Sequence, residues 1–228
     1  KTVKKIAVLD RSKEPGASCP LYLDVKNIIS SYNSKISVVG GRYGLSSKNT
    51  TPSDIYDVFM MLENSPKNNF TIGIVDDVTK TSLKKYNYDF KNGFKEIKIY
   101  GFGSDGLVSA SRDILDILSS DNFVQGYSEY DSKKSGSVTI NHLRFSDSII
   151  KAPYYTTAPE LIAVSKDEYF QKYDMISNIE ENGILLINTP KTEKELNDFL
   201  PSNVKKTIND KKVSVYTIDA DKIAMENN

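Results

Sequence analysis

Short apolar runs alternate along this chain with stretches whose apolar residues recur at helical spacing, and that alternation limits the fold more than any other feature. The segment Lys4-Lys5-Ile6-Ala7-Val8-Leu9-Asp10 is a compact apolar run closed by a turn cluster that includes Glu14-Pro15-Gly16, and it predicts a buried strand. Leu21, Val25, Ile28, Ile29 and Tyr32 then share one helical face, and Ile36-Ser37-Val38-Val39 predicts a second strand closed by Gly40-Gly41. The next helix starts with Thr51 as N-cap and Pro52 at the first helical position, and carries Ile55, Val58, Phe59 and Leu62 on its apolar face. A third strand is expected over Phe70-Thr71-Ile72-Gly73-Ile74-Val75. Parallel neighbours need helical crossovers, so this order implies an α/β module built on a mostly parallel sheet.

Between Thr79 and Gly93 the chain turns polar, with Lys84, Lys85, Asn87, Lys91 and Asn92, and apolar periodicity stops; a domain boundary is expected there, giving modules of residues 1–92 and 93–228. The second module repeats the pattern: strand Lys95-Glu96-Ile97-Lys98-Ile99-Tyr100, a glycine-rich turn, then a helix carrying Val108, Ile114, Leu115 and Leu118. Phe123 to Tyr130 and Ser137 to Phe145 predict two strands joined by one loop, which introduces antiparallel pairing. Leu161-Ile162-Ala163-Val164, Ile184-Leu185-Leu186-Ile187 and Val213-Ser214-Val215-Tyr216 are further buried-strand runs. The expected fold class is α/β: two consecutive modules of mostly parallel sheets flanked by helices, the second with some antiparallel strands.

Charge composition narrows the functional classes. Thirty Lys+Arg balance thirty Asp+Glu, which gives no reason to expect nucleic acid or a membrane surface as partner. There is no apolar run of the roughly 18 residues that a membrane helix needs, and the N-terminus is unlike a signal peptide, so a cytoplasmic chain is expected, with an organellar location of a parent protein as the alternative. A first residue that is Lys, placed almost directly on a strand, is expected of a fragment or a processed chain. Cys19 is the sole cysteine, which leaves no local thiolate set for an iron–sulfur cluster and no disulfide framework.

The turn Gly101-Phe102-Gly103-Ser104-Asp105-Gly106 fits Gly-x-Gly-x-x-Gly between a predicted strand and a predicted helix, with Glu129 and Asp131 about 25 residues on, the context of a dinucleotide fingerprint. Its glycines allow close backbone approach, and the following helix offers unpaired N–H groups and a positive dipole end to a phosphate. The alternative is a plain strand-to-helix turn with Asp105 or Ser104 as the cap, a role that also turns the Asp105 charge away from a phosphate. Ser132, Lys133 and Lys134, in a Ser/Gly-flanked loop, are placed to bring positive charge to the same sheet edge; the alternative is a solvated loop. Gly41-Arg42-Tyr43-Gly44 is a further ligand or contact turn, or only a turn. His142, the sole histidine, has no cysteine or catalytic partner spacing and is read as structural, while Asp76-Asp77 is assigned to capping or an interface before cation binding. No catalytic residue and no metal ligand is assigned.

Several long stretches together resemble the pyruvate:ferredoxin (flavodoxin) oxidoreductase family: Ala7-Val8-Leu9-Asp10-Arg11-Ser12-Lys13-Glu14-Pro15-Gly16-Ala17, Val38-Val39-Gly40-Gly41-Arg42-Tyr43-Gly44-Leu45-Ser46-Ser47, and Asn69 through Thr79. The resemblance continues through Tyr100-Gly101-Phe102-Gly103-Ser104-Asp105-Gly106, Gln125-Gly126-Tyr127, Tyr130-Asp131-Ser132-Lys133-Lys134-Ser135-Gly136 and His142-Leu143-Arg144-Phe145, and is weaker beyond about Tyr155. It implies that residues 1–92 are the later part of a transketolase C-terminal-like domain and 93–228 a gamma domain.

It further implies a parent enzyme that oxidatively decarboxylates pyruvate, or another 2-oxoacid, with thiamine diphosphate and magnesium. Such a parent passes electrons through iron–sulfur clusters to ferredoxin, flavodoxin or a fused reductase, transfers the acetyl group to coenzyme A and works as a homodimer. No Gly-Asp-Gly element with a downstream Asn is present, so thiamine diphosphate, magnesium and the clusters are expected on other domains. What remains for this segment is coenzyme A recognition by Gly101, Gly103, Ser104, Asp105, Gly106, Ser132, Lys133 and Lys134, together with packing against those domains. Leu107 replaces the family's small polar residue after the turn, and Ser109-Ala110-Ser111-Arg112 departs from the common Gly-Ala-Asn-Lys, though Arg112 keeps the positive charge. A nicotinamide-dinucleotide domain and a purely architectural module are the two rival readings.

Overall fold

A computed structural model describes residues 2–76, 78–88, 90, 93–102, 105–130 and 138–226. It divides into two compact units, Lys1–Asn92 and Gly93–Asn228.

In the first unit, strands β1 (Lys5–Asp10), β2 (Ser37–Arg42) and β3 (Phe70–Thr71) form a parallel sheet in that order, crossed over by helices α1 (Pro20–Tyr32) and α2 (Pro52–Asn64). Local chemistry starts each helix. The Asp10 carboxylate, at the end of β1, accepts from the backbone N–H of Leu21 (3.2 Å) and Tyr22 (3.0 Å), two donors that the first turn of α1 leaves open. Thr51 and Asp54 form a reciprocal capping box on α2, with Pro52 at its first position. Gly40 and Gly41 are required by packing: a Cβ would lie 2.6 Å from the Tyr22 ring at one and 2.3 Å from the Phe70 ring at the other.

The third strand is shorter than its apolar run implies. Ile72 N–H still donates to the Arg42 carbonyl (3.0 Å), but Gly73 then takes φ +75° and the chain leaves the sheet. Ser82 Oγ takes over, accepting from Asp76 N–H (2.7 Å) and donating to the Ile74 carbonyl (2.9 Å). The Asp76 carboxylate accepts from the amides of Val78, Thr79 and Thr81 and from both threonine hydroxyls, which hold it well below its ordinary range, so it organises a turn. Asp77 lies outside the described residues. The polar segment that follows packs on α2: Tyr86 N–H donates to Asp57 (2.9 Å), Lys85 pairs with Asp54 and Asp57, and the rings of Tyr88 and Phe90 gather on Tyr56.

In the second unit β4 (Lys95–Phe102), β5 (Phe123–Tyr130), β6 (Val138–Ser146), β7 (Leu161–Val164), β8 (Ile184–Asn188) and β9 (Ser214–Ile218) form one sheet in the order β5-β6-β4-β7-β8-β9. β6 runs antiparallel to both neighbours, and β4, β7, β8 and β9 run parallel. Helix α3 (Leu107–Leu118) covers the face carrying Gly101, Gly126 and Leu143; a Cβ on Gly126 would sit 2.4 Å from Leu115. The opposite face carries Tyr100, Val138, Ile162, Val164, Leu185 and Ile187, buried under the 3-10 turn at Asp167–Gln171, under Met175, Ile176 and Ile179, and under α4 (Glu193–Phe199) and α5 (Ser202–Asp210). Each large aliphatic side chain fully buried in this way contributes roughly 1.5–3 kcal/mol. A last helix, α6 (Ala220–Glu226), follows β9, and among the described residues no helix is long and apolar enough to cross a membrane.

Candidate functional site

Because β5 is parallel to β4, the carboxyl ends of β4, β5, β7, β8 and β9 meet at one edge of the second sheet. The chain leaves β4 over one face, through α3, and leaves β7 and β8 over the other. The β4/β7 junction is therefore a topological switch point, where open α/β sheets present a crevice. A cleft of about 550 Å³ lies there, floored by Ile99, Ala163, Leu186 and Ile218 and rimmed by Asp105, Ser165, Lys166, Asn188, Lys191 and Asp221.

The glycine turn borders this cleft. Gly101 is built in by close approach, since a Cβ would meet Leu107 Cδ1 at 3.0 Å and Asp105 Oδ2 at 3.1 Å. Gly106 sits at φ +81° as the residue before α3, a left-handed conformation that glycine adopts at no steric cost. The Asp105 carboxylate accepts from the N–H of Phe102 through Oδ2 and of Leu107 through Oδ1 (3.1 Å). It thereby occupies one of the donors that a phosphate at this helix start would use. Gly103, Ser104, Ser132, Lys133 and Lys134 lie outside the described residues. Their flanks are placed together: Phe102 pairs with Val138, and Thr139 pairs with Gly101 on one side and Tyr130 on the other.

Glu129, the acidic residue downstream of the fingerprint, faces His142 Nε2 at 3.3 Å; Asp131 lies outside the described residues. His142 is buried, bonded through Nδ1 to the Thr156 hydroxyl (2.7 Å) and stacked on Tyr155 at 4.5 Å and 5°. Burial pushes its pKa below the ordinary value, against the opposing hydrogen bond that the Glu129 carboxylate accepts from it. Lys98, its neighbour across the strands, is also buried and lowered chiefly by desolvation.

Three features here carry no sequence motif. Asp167, just past β7, accepts from the Thr189 hydroxyl and pairs with Lys191 Nζ (2.8 Å), which joins the β7 and β8 ends of the rim. Among the described residues neither Ser165 Oγ, buried beside the cleft, nor Tyr169 Oη has a hydrogen-bond partner. Beneath the sheet edge, Arg144 and Glu96 form a buried ion pair (2.7 Å) that grips the β6–β7 connection: Arg144 donates to the carbonyls of Ala152, Tyr154 and Tyr155, and Glu96 accepts from the N–H of Thr157 and Ala158. A charged pair inside otherwise apolar strand runs was the available signal for it. Among the described residues no group of three His, Cys, Asp or Glu side chains is placed to hold a metal ion.

Residues 96–228 match the family described as Pyruvate ferredoxin/flavodoxin oxidoreductase. The chain belongs to this family. It is 45% identical over 231 residues to the pyruvate:ferredoxin oxidoreductase of Moorella thermoacetica, covering 99% of this chain and 20% of that protein. It is 42% identical over 235 residues to the pyruvate-flavodoxin oxidoreductase of Trichormus variabilis, again over 99% of this chain and 20% of that protein. Against the NADP(+) pyruvate dehydrogenase of Cryptosporidium parvum the identity is 43% over 241 residues, covering all of this chain and 12% of that protein. The family chain thus spans about a fifth or less of the length of these relatives.

Proposed function

We propose that this chain is a segment of a pyruvate (2-oxoacid) oxidoreductase and that it contributes coenzyme A recognition and packing against the parent's other domains. The observation that carries the reading is identity of 42–45% along essentially the entire chain to three enzymes named for pyruvate oxidation. In the proposed parent reaction, pyruvate and the thiol of coenzyme A give acetyl-coenzyme A, carbon dioxide, one proton and two electrons. Thiamine diphosphate, magnesium and iron–sulfur clusters supply the decarboxylation and electron transfer from other domains. The relatives' names specify ferredoxin, flavodoxin and NADP(+), yet each shares this segment to a similar degree; acceptor choice therefore belongs elsewhere in the parent, which we take to be a homodimer, cytoplasmic or organellar.

Coenzyme A recognition rests on the carboxyl edge of the second sheet. The start of α3 supplies N–H donors, Lys133 and Lys134 are assigned as the source of positive charge, and Asp105 tempers the site by holding the Phe102 and Leu107 amides. The orphaned Ser165 hydroxyl gives the cleft an unspent polar group. Packing is supported by the face of β8 and β9 carrying Ile184, Tyr216 and Ile218, all exposed, since parallel sheets bury both faces.

Thermal unfolding with coenzyme A, desulfo-coenzyme A, NADH and NADPH tests this reading. A ligand at about 100 times its dissociation constant stabilises by roughly 2.7 kcal/mol. Stabilisation by both coenzyme A forms, lost in Lys133→Ala/Lys134→Ala, is the expected result. Stabilisation by the nicotinamide cofactors alone would instead favour a dinucleotide domain, and no stabilisation by any of the four would favour an architectural module.

A further inference from the structure

Under α3 a second cavity, of about 210 Å³, separates the helix from β5 and β6. Its walls include Val108 and Leu115 of α3 and Leu143 of β6, and it is kept open by Gly126, where a Cβ would run into Leu115 at 2.4 Å. Asn141 also lines it and is 0% exposed. Its Oδ1 accepts from Ser128 Oγ (2.6 Å), whereas its Nδ2 has no hydrogen-bond partner among the described residues. A buried donor left without an acceptor is unfavourable, so this amide is a standing invitation to one.

The other polar groups sort in the same sense. The Ser111 hydroxyl is turned to its own helix, donating to the Leu107 carbonyl (2.7 Å). Arg112 lines the cavity and has no ion-pair partner among the described residues. The cavity therefore offers an amide donor and a guanidinium fork beside Tyr127 and Tyr130 and the apolar Val108, Leu115 and Leu143, with no carboxylate among its described lining residues. A planar fork matches a planar carboxylate, and a short alkyl group suits the valine and leucine walls. A water molecule's share of volume is about 30 Å³, so the space exceeds what one water needs to satisfy Asn141.

We propose that this cavity is a binding site for a short-chain monocarboxylate, held between Asn141 Nδ2 and the Arg112 guanidinium with its alkyl group against Val108 and Leu115. The site stands independently of coenzyme A recognition at the strand ends. Acetate and propionate are the probes, and the readout is the side-chain amide signal of Asn141 in nitrogen-15 NMR of the chain, assigned by its loss in Asn141→Ser. Saturable movement of that signal by acetate and propionate, absent with sodium chloride at equal ionic strength, is expected. Arg112→Gln, at an exposed helix position, is expected to keep the spectrum of the fold and weaken binding about tenfold, the loss of one charge-assisted hydrogen bond. An unmoved Asn141 signal, equal movement by neutral acetamide, preference for inorganic phosphate, or unchanged affinity in Arg112→Gln would each overturn the proposal.

Discussion

In the first unit the buried carboxylates serve partners 3 to 31 residues away: Asp54 caps its own helix and pairs with Lys85, Asp10 holds the start of the helix that follows its strand, and Asp57 receives Tyr86 N–H. In the second unit Glu96 reaches Arg144 across 48 residues and Thr157 and Ala158 across 61 and 62. The first pattern starts local structure, and the second fastens a connection with no periodic structure of its own onto the sheet. The difference teaches where each unit is vulnerable: the first at helix starts and close packing, the second at one ion pair on which several backbone groups depend.

The largest expected effect follows from breaking that pair. Arg144→Met leaves Glu96 charged, 3% exposed and without its guanidinium, and removes the Arg144 hydrogen bonds to three carbonyls; a loss of about 3–5 kcal/mol is expected in urea unfolding. A loss below that of an ordinary surface substitution would show that the β6–β7 connection is held by other contacts. In the first unit Gly41→Ala drives a methyl into the Phe70 ring, and about 1–3 kcal/mol is expected in the same measurement. Asp105 lets the comparison be sharpened, because it is a local cap in the unit otherwise held by long-range charge. Asp105→Ala should cost about 1 kcal/mol as a lost cap and free the Leu107 amide; Asp105→Asn should keep most of that stability, and both should bind coenzyme A more tightly than the parent chain.

The smallest effect is the pH response of His142. Its folded pKa lies below the ordinary 6.5 because burial disfavours the imidazolium, with Lys98 and Arg144 adding repulsion and Glu129 opposing it. The unfolded chain therefore takes up the proton first: stability that is complete above about 6.5 falls as pH drops through the folded value. His142→Gln is expected to flatten urea-unfolding midpoints over that window. An unchanged slope would place the titration elsewhere.

Much of the fold was legible because compact apolar runs such as Ile6–Leu9 and Ile184–Ile187 announce buried parallel strands, and because Thr51-Pro52 announces a helix start. The third strand is shorter than its composition implies: Ile72 to Val75 has strand composition, but Gly73 is left-handed and the Ser82 side chain, not a strand, satisfies the backbone there. Residues 81–88 and Phe90 look like a linker in sequence because their packing on α2 runs through aromatic rings and single side-chain bonds, not periodicity. At the candidate site the glycine turn was readable, and so was the capping alternative that Asp105 adopts. Ser165, Asp167 and Lys191 were not, because their neighbourhood comes from parallel pairing of β7 and β8 and leaves no spacing rule behind.

The central claim is that the carboxyl edge of the second sheet receives coenzyme A. Amide hydrogen exchange of the chain with and without coenzyme A tests it most directly, peptide by peptide. Slowed exchange confined to residues 101–110, 130–139 and 165–168 is the expected result; exchange unchanged there, or slowed only by NADPH, would contradict it.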